Sequence, residues 1–142
     1  QDKIDIALCR LERKCGNEVT VSYAGAKQAL YYFDVSNKEE GVQKVRGTRR
    51  SIGANTKKSI GFEQFERVLP SGSIFYLASD GFSDQHDIEG EKMGSLRFHE
   101  LLKTASTLPF DKQATEIEKF FNKHRSGQFQ RDDVTVLGVQ LR

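Results

Sequence analysis

The chain has 142 residues, of which 37% are hydrophobic and 30% are charged, and its formal net charge is +2. These values are typical of one globular domain, so we assign residues 1–142 to a single domain. The small charge does not favour nucleic acid or a membrane as a partner, and no apolar run approaches the roughly 20 residues that span a bilayer. Cys9 and Cys15 lack metal-ligand spacing and are expected to be reduced thiols of a cytoplasmic protein.

Apolar runs separated by turn residues predict seven strands. The strands are expected at residues 3–13, 18–24, 28–34, 42–46, 60–69, 73–79 and 133–141. Gly16 and Asn17 predict a hairpin between the first two strands, and the turn at residues 70–72 predicts a hairpin between the fifth and sixth.

Two helices are predicted between the sixth and seventh strands, at residues 93–106 and 111–124. Leu96 and Leu101 belong to an apolar stripe in the first helix, and Asp111 is the expected N-cap of the second. Strands followed by helices and one last strand predict an α+β fold. We expect an antiparallel β-sandwich flanked by helices that cover one of its sheets.

Carboxylates stand at one end of two apolar strands. Asp80 follows the sixth strand and precedes Gly81, while Asp132 and Asp133 open the seventh. Taken alone, the first pattern is also typical of a turn and the second of a solvated loop end. If the two strands are antiparallel neighbours, Asp80 and Asp132 meet at one rim of the sheet. Clustered carboxylates need a counter-charge, and Mn²⁺ or Mg²⁺ with oxygen ligands would supply it.

A basic segment covers residues 44–58, with six Lys or Arg residues and no acid. It has three interpretations: a solvated loop, a rim that attracts a phosphorylated partner, and a nucleic-acid contact. The last is disfavoured because aromatic residues are not interleaved with the basic ones. In the second interpretation, Arg49 and Arg50 bind substrate, since a guanidinium group can grip phosphate with two hydrogen bonds.

Five stretches of the chain together resemble a known family. They are VTVSYAGAKQALYYF, RRSIG, PSGSIFYLASDGFSDQ, GEKMGSLRFHELL and RDDVTVLGVQL. In order and spacing they are similar to the metal-dependent protein serine/threonine phosphatases (PPM), specifically the bacterial SpoIIE-like branch. The resemblance implies a β-sandwich flanked by helices, with two Mn²⁺ or Mg²⁺ ions in a cleft at the strand ends.

The resemblance also implies the roles of individual residues. Asp80 and Asp132 would be metal ligands, whereas Asp133 and Asp84 need not contact metal, and no catalytic side chain is implied beyond the ligands. The implied reaction is hydrolysis of phosphoserine or phosphothreonine on a regulatory protein, such as an anti-sigma-factor antagonist, in signal transduction. The implied setting is the cytoplasm, with a sensory module possible upstream.

The chain departs from the family pattern in its first half. The family's G-G-D-like strand and D-x-x-G-H-G-like segment, which supply further ligands and covering helices, do not occur in this sequence. We therefore expect the C-terminal portion of a phosphatase domain, inactive alone, with an uncovered sheet face. The alternative is a phosphatase-like module that binds a protein without catalysis.

Overall fold

The computed structural model describes residues 3–53 and 61–142, and these residues form seven strands and three α-helices. The strands are β1 (Ile6–Arg13), β2 (Glu18–Ala26), β3 (Ala29–Phe33), β4 (Val42–Arg46), β5 (Gln64–Pro70), β6 (Ile74–Ala78) and β7 (Val136–Gln140). The helices are α1 (Asp80–Asp84), α2 (Gly94–Ser106) and α3 (Phe110–Arg125), with a 3-10 turn at Lys38–Glu40. Each predicted strand and both predicted helices are present, with ends that move by a few residues. Residue 60, the predicted start of the fifth strand, lies outside the described residues.

The described strands form two antiparallel sheets, ordered β1-β2-β5 and β4-β3-β6-β7. The predicted hairpin of β1 and β2 is confirmed by pairing from Ile6 with Ala26 to Arg13 with Val19. The predicted hairpin of β5 and β6 is wrong, because β5 pairs with β2 whereas β6 pairs with β3 and β7. The turn at residues 70–72 instead carries the chain from one sheet to the other.

The two sheets pack face to face around an apolar core. β2 contributes Val19, Val21 and Tyr23, which pack with Tyr32 of β3 and Phe75 of β6. All five side chains are buried. The predicted β-sandwich is therefore confirmed, and burial of apolar surface between its sheets is the main stabilising term for these strands.

Helices α2 and α3 cover the other face of the four-stranded sheet, as predicted, through a second apolar cluster. Leu96 was expected in the inner stripe of α2 but is 73% exposed, because it lies about 200° around the helix from buried Phe98. Asp111 is not the N-cap of α3, since the helix begins at Phe110 and Pro109 occupies the cap position. None of the described helices combines the length and apolar character needed to cross a membrane.

The outer face of the three-stranded sheet has no covering layer among the described residues. Leu8 is 66% exposed and Val68 is 47% exposed. Alternate residues of the same strand, such as Ala7 and Cys9, pack against the core between the sheets. Among the described residues, helices therefore cover one outer face of the sandwich, and none covers the other.

The hydroxyl of Tyr76 links β6 to α3 and gives a test of this packing. It is buried and donates a hydrogen bond to Gln113 Oε1 at 2.8 Å, and burial raises the pKa of Tyr76, so the donor stays protonated. Tyr76→Phe leaves Gln113 Oε1 without this donor and should lower the free energy of unfolding by about 1–2 kcal/mol. Tyr32→Phe is the matched control, because Tyr32 is also a buried residue but its hydroxyl makes no hydrogen bond with a described residue. Urea unfolding followed by circular dichroism measures both, and equal losses would contradict the assignment.

Candidate functional site

The end of β6 and the start of β7 lie side by side. Their antiparallel pairing runs to Ala78 with Val136 and is extended by the residues beyond it. The Ser79 amide donates to the Thr135 carbonyl oxygen at 2.9 Å, and the Thr135 amide donates to Ser79 Oγ at 3.0 Å. Ser79 Oγ in turn donates to the Asp133 carbonyl oxygen at 3.0 Å. The predicted neighbour relation of the two strands is therefore confirmed.

Gly81 brings the two acidic segments into backbone contact. A Cβ atom at this position would lie 2.3 Å from the Asp133 carbonyl oxygen, so only glycine fits without a shift. Asp80 does not lie in a simple turn, as a lone Asp-Gly pair would suggest, but is the first residue of the short helix α1. Asp80, Asp132 and Asp133 thus come from adjoining segments at one end of the four-stranded sheet, and we call them the acidic edge.

The carboxylates of the acidic edge differ in their contacts, although all three residues are exposed. Asp80 makes no side-chain hydrogen bond or ion pair with any residue in the described part of the chain. Asp132 Oδ1 accepts a hydrogen bond from the Asp133 amide at 2.7 Å. Asp84, in the same helix as Asp80, pairs with Lys92 at 3.1 Å. The Asp80 oxygens are therefore available to a cation, whereas those of Asp84 already face an ammonium group.

The acidic edge is at most part of a metal site. Within residues 3–53 and 61–142, no group of three or more His, Cys, Asp or Glu side chains is arranged to hold a metal ion. Hard divalent cations take six or more oxygen ligands, some of which are water. The donors described here do not complete such a set, and the metal-ligand roles of Asp80 and Asp132 stay a prediction.

A second charged region lies close to the acidic edge. Arg49 lines a cavity of about 510 Å³ together with three other cations. We call these side chains the basic pocket: Lys27, Lys44, Arg46 and Arg49. Arg50 lies differently, with its guanidinium carbon 5.4 Å from the centre of the Phe62 ring. The two arginines singled out from the sequence therefore occupy different surroundings, and their roles in substrate binding stay predictions.

The sequence contained only part of the signal for the basic pocket. Lys44 and Arg46 belong to the basic segment and are two residues apart in strand β4, so they share a face of the sheet. Lys27 comes from the turn between β2 and β3, which is remote in sequence. Only the pairing of β3 with β4 brings this turn beside Arg46, through Ala29 opposite Arg46.

The basic pocket and the acidic edge adjoin one another. A smaller cavity of about 140 Å³ is lined by Lys27 and Lys44 of the basic pocket and by Ser79 and Asp80. Cationic and anionic side chains therefore border this smaller depression, which shares Lys27 and Lys44 with the basic pocket. Such a depression suits a ligand that carries a phosphoryl group and meets a bound cation.

The fold and this arrangement define the class of protein. Two antiparallel sheets with helices on an outer face match the PP2C-type (PPM) phosphatase domains. The chain belongs to the SpoIIE family, because residues 6–142 match the family model described as Stage II sporulation protein E.

Solved structures give the same result. The SiaA PP2C domain of Pseudomonas aeruginosa is similar at 32% identity and a TM-score of 0.73, over 87% of this chain and 46% of that chain. A Bacillus subtilis SpoIIE structure, of the phosphatase domain with a fragment of the regulatory domain, is similar at 19% identity and 0.64, over 85% of this chain and 34% of that chain. The RsbU and RsbW domains of a Mycobacterium tuberculosis protein are similar at 20% identity and a TM-score of 0.61, over 90% of this chain and 33% of that chain.

These similarities cover only part of each solved chain. The chain spans less than half the length of each of these three solved chains. The two structures below 25% identity show the fold alone. No curated protein matches the chain significantly.

The contact of Gly81 with Asp133 can be tested by adding one methyl group. Gly81→Ala places a Cβ atom against the Asp133 carbonyl oxygen and should lower the free energy of unfolding by about 1–3 kcal/mol, although alanine is the better helix former. Gly61→Ala is the matched control, because its Cβ atom meets nothing within 4 Å and its backbone needs no positive φ. Urea unfolding of both variants decides the point, and a Gly81→Ala variant as stable as the control would refute the contact.

Proposed function

We propose that this chain is part of a metal-dependent phosphatase that removes phosphoryl groups from serine or threonine of a regulatory protein. The observation that carries the proposal is the acidic edge. Asp80 and Asp132 come from segments that touch through Gly81 and Asp133, in a chain of the SpoIIE family. The family relation supports the phosphatase class, and acidic residues on adjoining segments support metal dependence.

In this proposal Asp80 and Asp132 donate oxygen ligands to Mn²⁺ or Mg²⁺. Such ions, when bound, activate water and neutralise charge on the phosphoryl oxygens. The contribution of this chain is to hold two Asp residues on adjoining backbone segments. β6 and α1 position the backbone of Asp80, and the hydrogen bonds of Ser79 position the segment that contains Asp132. The remaining donors are proposed to come from parts of the phosphatase domain that this chain does not cover, which agrees with its coverage of 46% of the SiaA domain.

The proposed partner is a phosphorylated regulatory protein such as an anti-sigma-factor antagonist, met in the cytoplasm. Two similar structures are described as SpoIIE, a cell fate determinant, and as RsbU and RsbW domains, which supports a regulatory setting. We propose that Arg49 and Arg50 attract the phosphorylated segment of this partner. Nucleic acid and membrane are not proposed as partners.

A second candidate function is a phosphatase-like module that binds a protein without catalysis. The observation in its favour is the donor count, because the described residues hold no group of three or more potential metal ligands. The two candidates differ in whether metal ions and Asp80 change the rate of phosphate release.

Asp80→Asn tests the catalytic proposal. An amide oxygen is a poorer cation ligand than a carboxylate, so Mn²⁺-dependent release of p-nitrophenol from p-nitrophenyl phosphate should fall on the order of 100-fold or more. The measurement uses the phosphatase domain that contains this chain, with Mn²⁺ varied from zero to saturation.

Asp84→Asn is the matched control for that substitution. It removes a carboxylate from the same helix, but one that pairs with Lys92, and it should keep the activity within about twofold, since exposed ion pairs contribute little. Equal rates for Asp80→Asn and the unaltered protein would remove Asp80 from the mechanism. Absence of any Mn²⁺-dependent rate in the unaltered domain would favour the non-catalytic module.

Substitution of Arg49 and Arg50 by Gln tests the attraction of a phosphoprotein. The double variant should lower kcat/KM for a phosphoserine protein by roughly three- to tenfold at low ionic strength, and the deficit should shrink at about 0.5 M salt, because exposed charges are screened. Hydrolysis of p-nitrophenyl phosphate reports whether the metal site is intact. A deficit that does not depend on salt would contradict the electrostatic role.

A further inference from the structure

The basic pocket carries positive charge that no described acid neutralises. None of its four cations lies within ion-pairing distance of a carboxylate in the part of the chain that the structure describes, whereas Lys92 and Lys103 elsewhere are paired. Of the residues outside that part, 54–60 read ANTKKSI and contain no acid, while residues 1–2 include Asp2. Burial and the neighbouring Arg46 lower the pKa of Lys44. Like charges held close together repel one another, and a bound anion would reduce that repulsion.

The backbone beneath the basic pocket is fixed by two interlocked turns. The Lys27 amide donates to the Thr48 carbonyl oxygen at 2.8 Å, and the Thr48 amide donates to the Gly25 carbonyl oxygen at 2.8 Å. Lys27 itself has a φ of 57°, which an L-residue rarely adopts unless its surroundings hold it there. The position of Lys27 is therefore set before any ligand arrives.

Two further contacts lock the same turns. A Cβ atom on Gly47 would lie 2.2 Å from the Gln28 carbonyl oxygen, so the two backbones meet without an intervening side chain. The Tyr23 hydroxyl donates to that same carbonyl oxygen, and burial raises the pKa of Tyr23 to about 12. The floor of the pocket is thus built from packed backbone and a buried hydrogen bond, and such preorganisation lowers the entropic cost of binding.

Strand β4 and helix α2 complete the walls. Lys44 Nζ lies 5.4 Å from the centre of the Tyr31 ring, which gives this ammonium group a cation–π contact. Ser95, in the first turn of α2, lines the pocket, and this first turn has no acidic residue and no side-chain cap. His99 of the same helix contacts the Val42 carbonyl oxygen of β4 at 2.7 Å. The positive end of a 13-residue helix therefore adds to the charge of the four side chains.

We propose that the basic pocket of Lys27, Lys44, Arg46 and Arg49 is a preformed binding site for a phosphoryl group that holds its ligand without any metal ion. In the phosphatase it would hold the phosphoserine or phosphothreonine side chain beside Asp80, and this part rests on the function proposed above. Two guanidinium groups can each donate paired hydrogen bonds to phosphoryl oxygens, and two ammonium groups add charge.

A phosphorylated protein fits this pocket better than a nucleic acid does. The cations surround one cavity of about 510 Å³ instead of forming a row along the surface. Nucleic-acid grooves combine such cations with exposed aromatic rings for base stacking, whereas Tyr31, beside Lys44, is buried. The smaller cavity that shares Lys27 and Lys44 with this pocket is also lined by Asp80, which would repel further phosphates of a polynucleotide backbone.

Titration of the metal-free protein with inorganic phosphate, in the presence of EDTA, tests the site. Two-dimensional ¹H–¹⁵N NMR should show saturable shifts confined to the amides that line the pocket, with Ala29, Gly47 and Ser95 as the reporters. The Lys44→Gln and Arg49→Gln variants should each raise the dissociation constant for phosphate about tenfold, as expected for loss of a charge-assisted hydrogen bond. Shifts that do not saturate, or that are spread over the surface, would overturn the proposal.

Matched variants separate a specific site from general charge. Lys119→Gln and Arg10→Gln remove the same charges from exposed positions on α3 and β1 and should leave phosphate binding within about twofold. Equal weakening by the pocket and control variants would show that only net charge matters and would sink the proposal.

Two further ligands identify the source of the phosphoryl group. N-acetyl-O-phosphoserine N-methylamide should compete with inorganic phosphate, whereas its serine counterpart should not. A single-stranded oligodeoxynucleotide that displaces phosphate more tightly than the phosphoserine compound would overturn the assignment in favour of nucleic acid. Because these measurements involve neither metal nor turnover, loss of phosphate binding and loss of the Asp80-dependent rate are separate failures.

Discussion

The contact between Gly81 and the Asp133 carbonyl oxygen is the constraint on which the candidate site depends. Antiparallel pairing of β6 with β7 brings the two chain segments together, but the pairing ends at Ala78 and Val136. Beyond that point, the Ser79 hydrogen bonds and the close approach that Gly81 allows keep the acidic segments adjacent. Carboxylates would repel one another here, and these backbone contacts oppose that repulsion without using the oxygens of Asp80.

The basic pocket is built by the same physical means. Gly47 meets the Gln28 carbonyl oxygen as closely as Gly81 meets that of Asp133, and in both places backbone hydrogen bonds join segments remote in sequence. Among the described residues, this leaves the four cations of the basic pocket without an ion pair and Asp80 without a side-chain hydrogen bond. A binding site needs charged groups whose positions are set but whose interactions are not already satisfied by the protein itself.

The sequence was sufficient for the elements and the sandwich because their signals are local. Apolar runs identified β6 and β7 as strands, and the adjacency that was assumed in order to place both acids at one rim is present in the structure. The expectation that both are interior strands holds for β6 only, because β7 lies at the edge of the described sheet. The hairpin predicted at residues 70–72 was wrong, since Pro and Gly indicate a change of chain direction but not which sheet the next strand joins. The prediction of Asp111 as N-cap was also wrong, because Pro109 occupies the cap position and the helix begins at Phe110.

The basic pocket could be predicted only in part, for a similar reason. Lys44, Arg46 and Arg49 are close in sequence, so the segment at residues 44–58 was visible as a charge pattern. Lys27 depends on a turn between different sheets, and the separation of Arg49 from Arg50 depends on how the latter packs against Phe62. Whether a set of metal ligands is complete is still harder to predict from sequence, because it depends on which side chains converge in space.

The charges of the two regions have a joint consequence. Asp80 borders the same small cavity as Lys27 and Lys44, yet it forms no ion pair with either. A cation at the acidic edge and a phosphoryl group in the basic pocket would attract each other, since residues of both regions line the same small cavity and opposite charges close to one another attract. Binding free energies are linked reciprocally, so each ligand would raise the affinity for the other by the same factor. A product phosphate would gain from that coupling as well, and its release would require the cleft to weaken one of the two attractions.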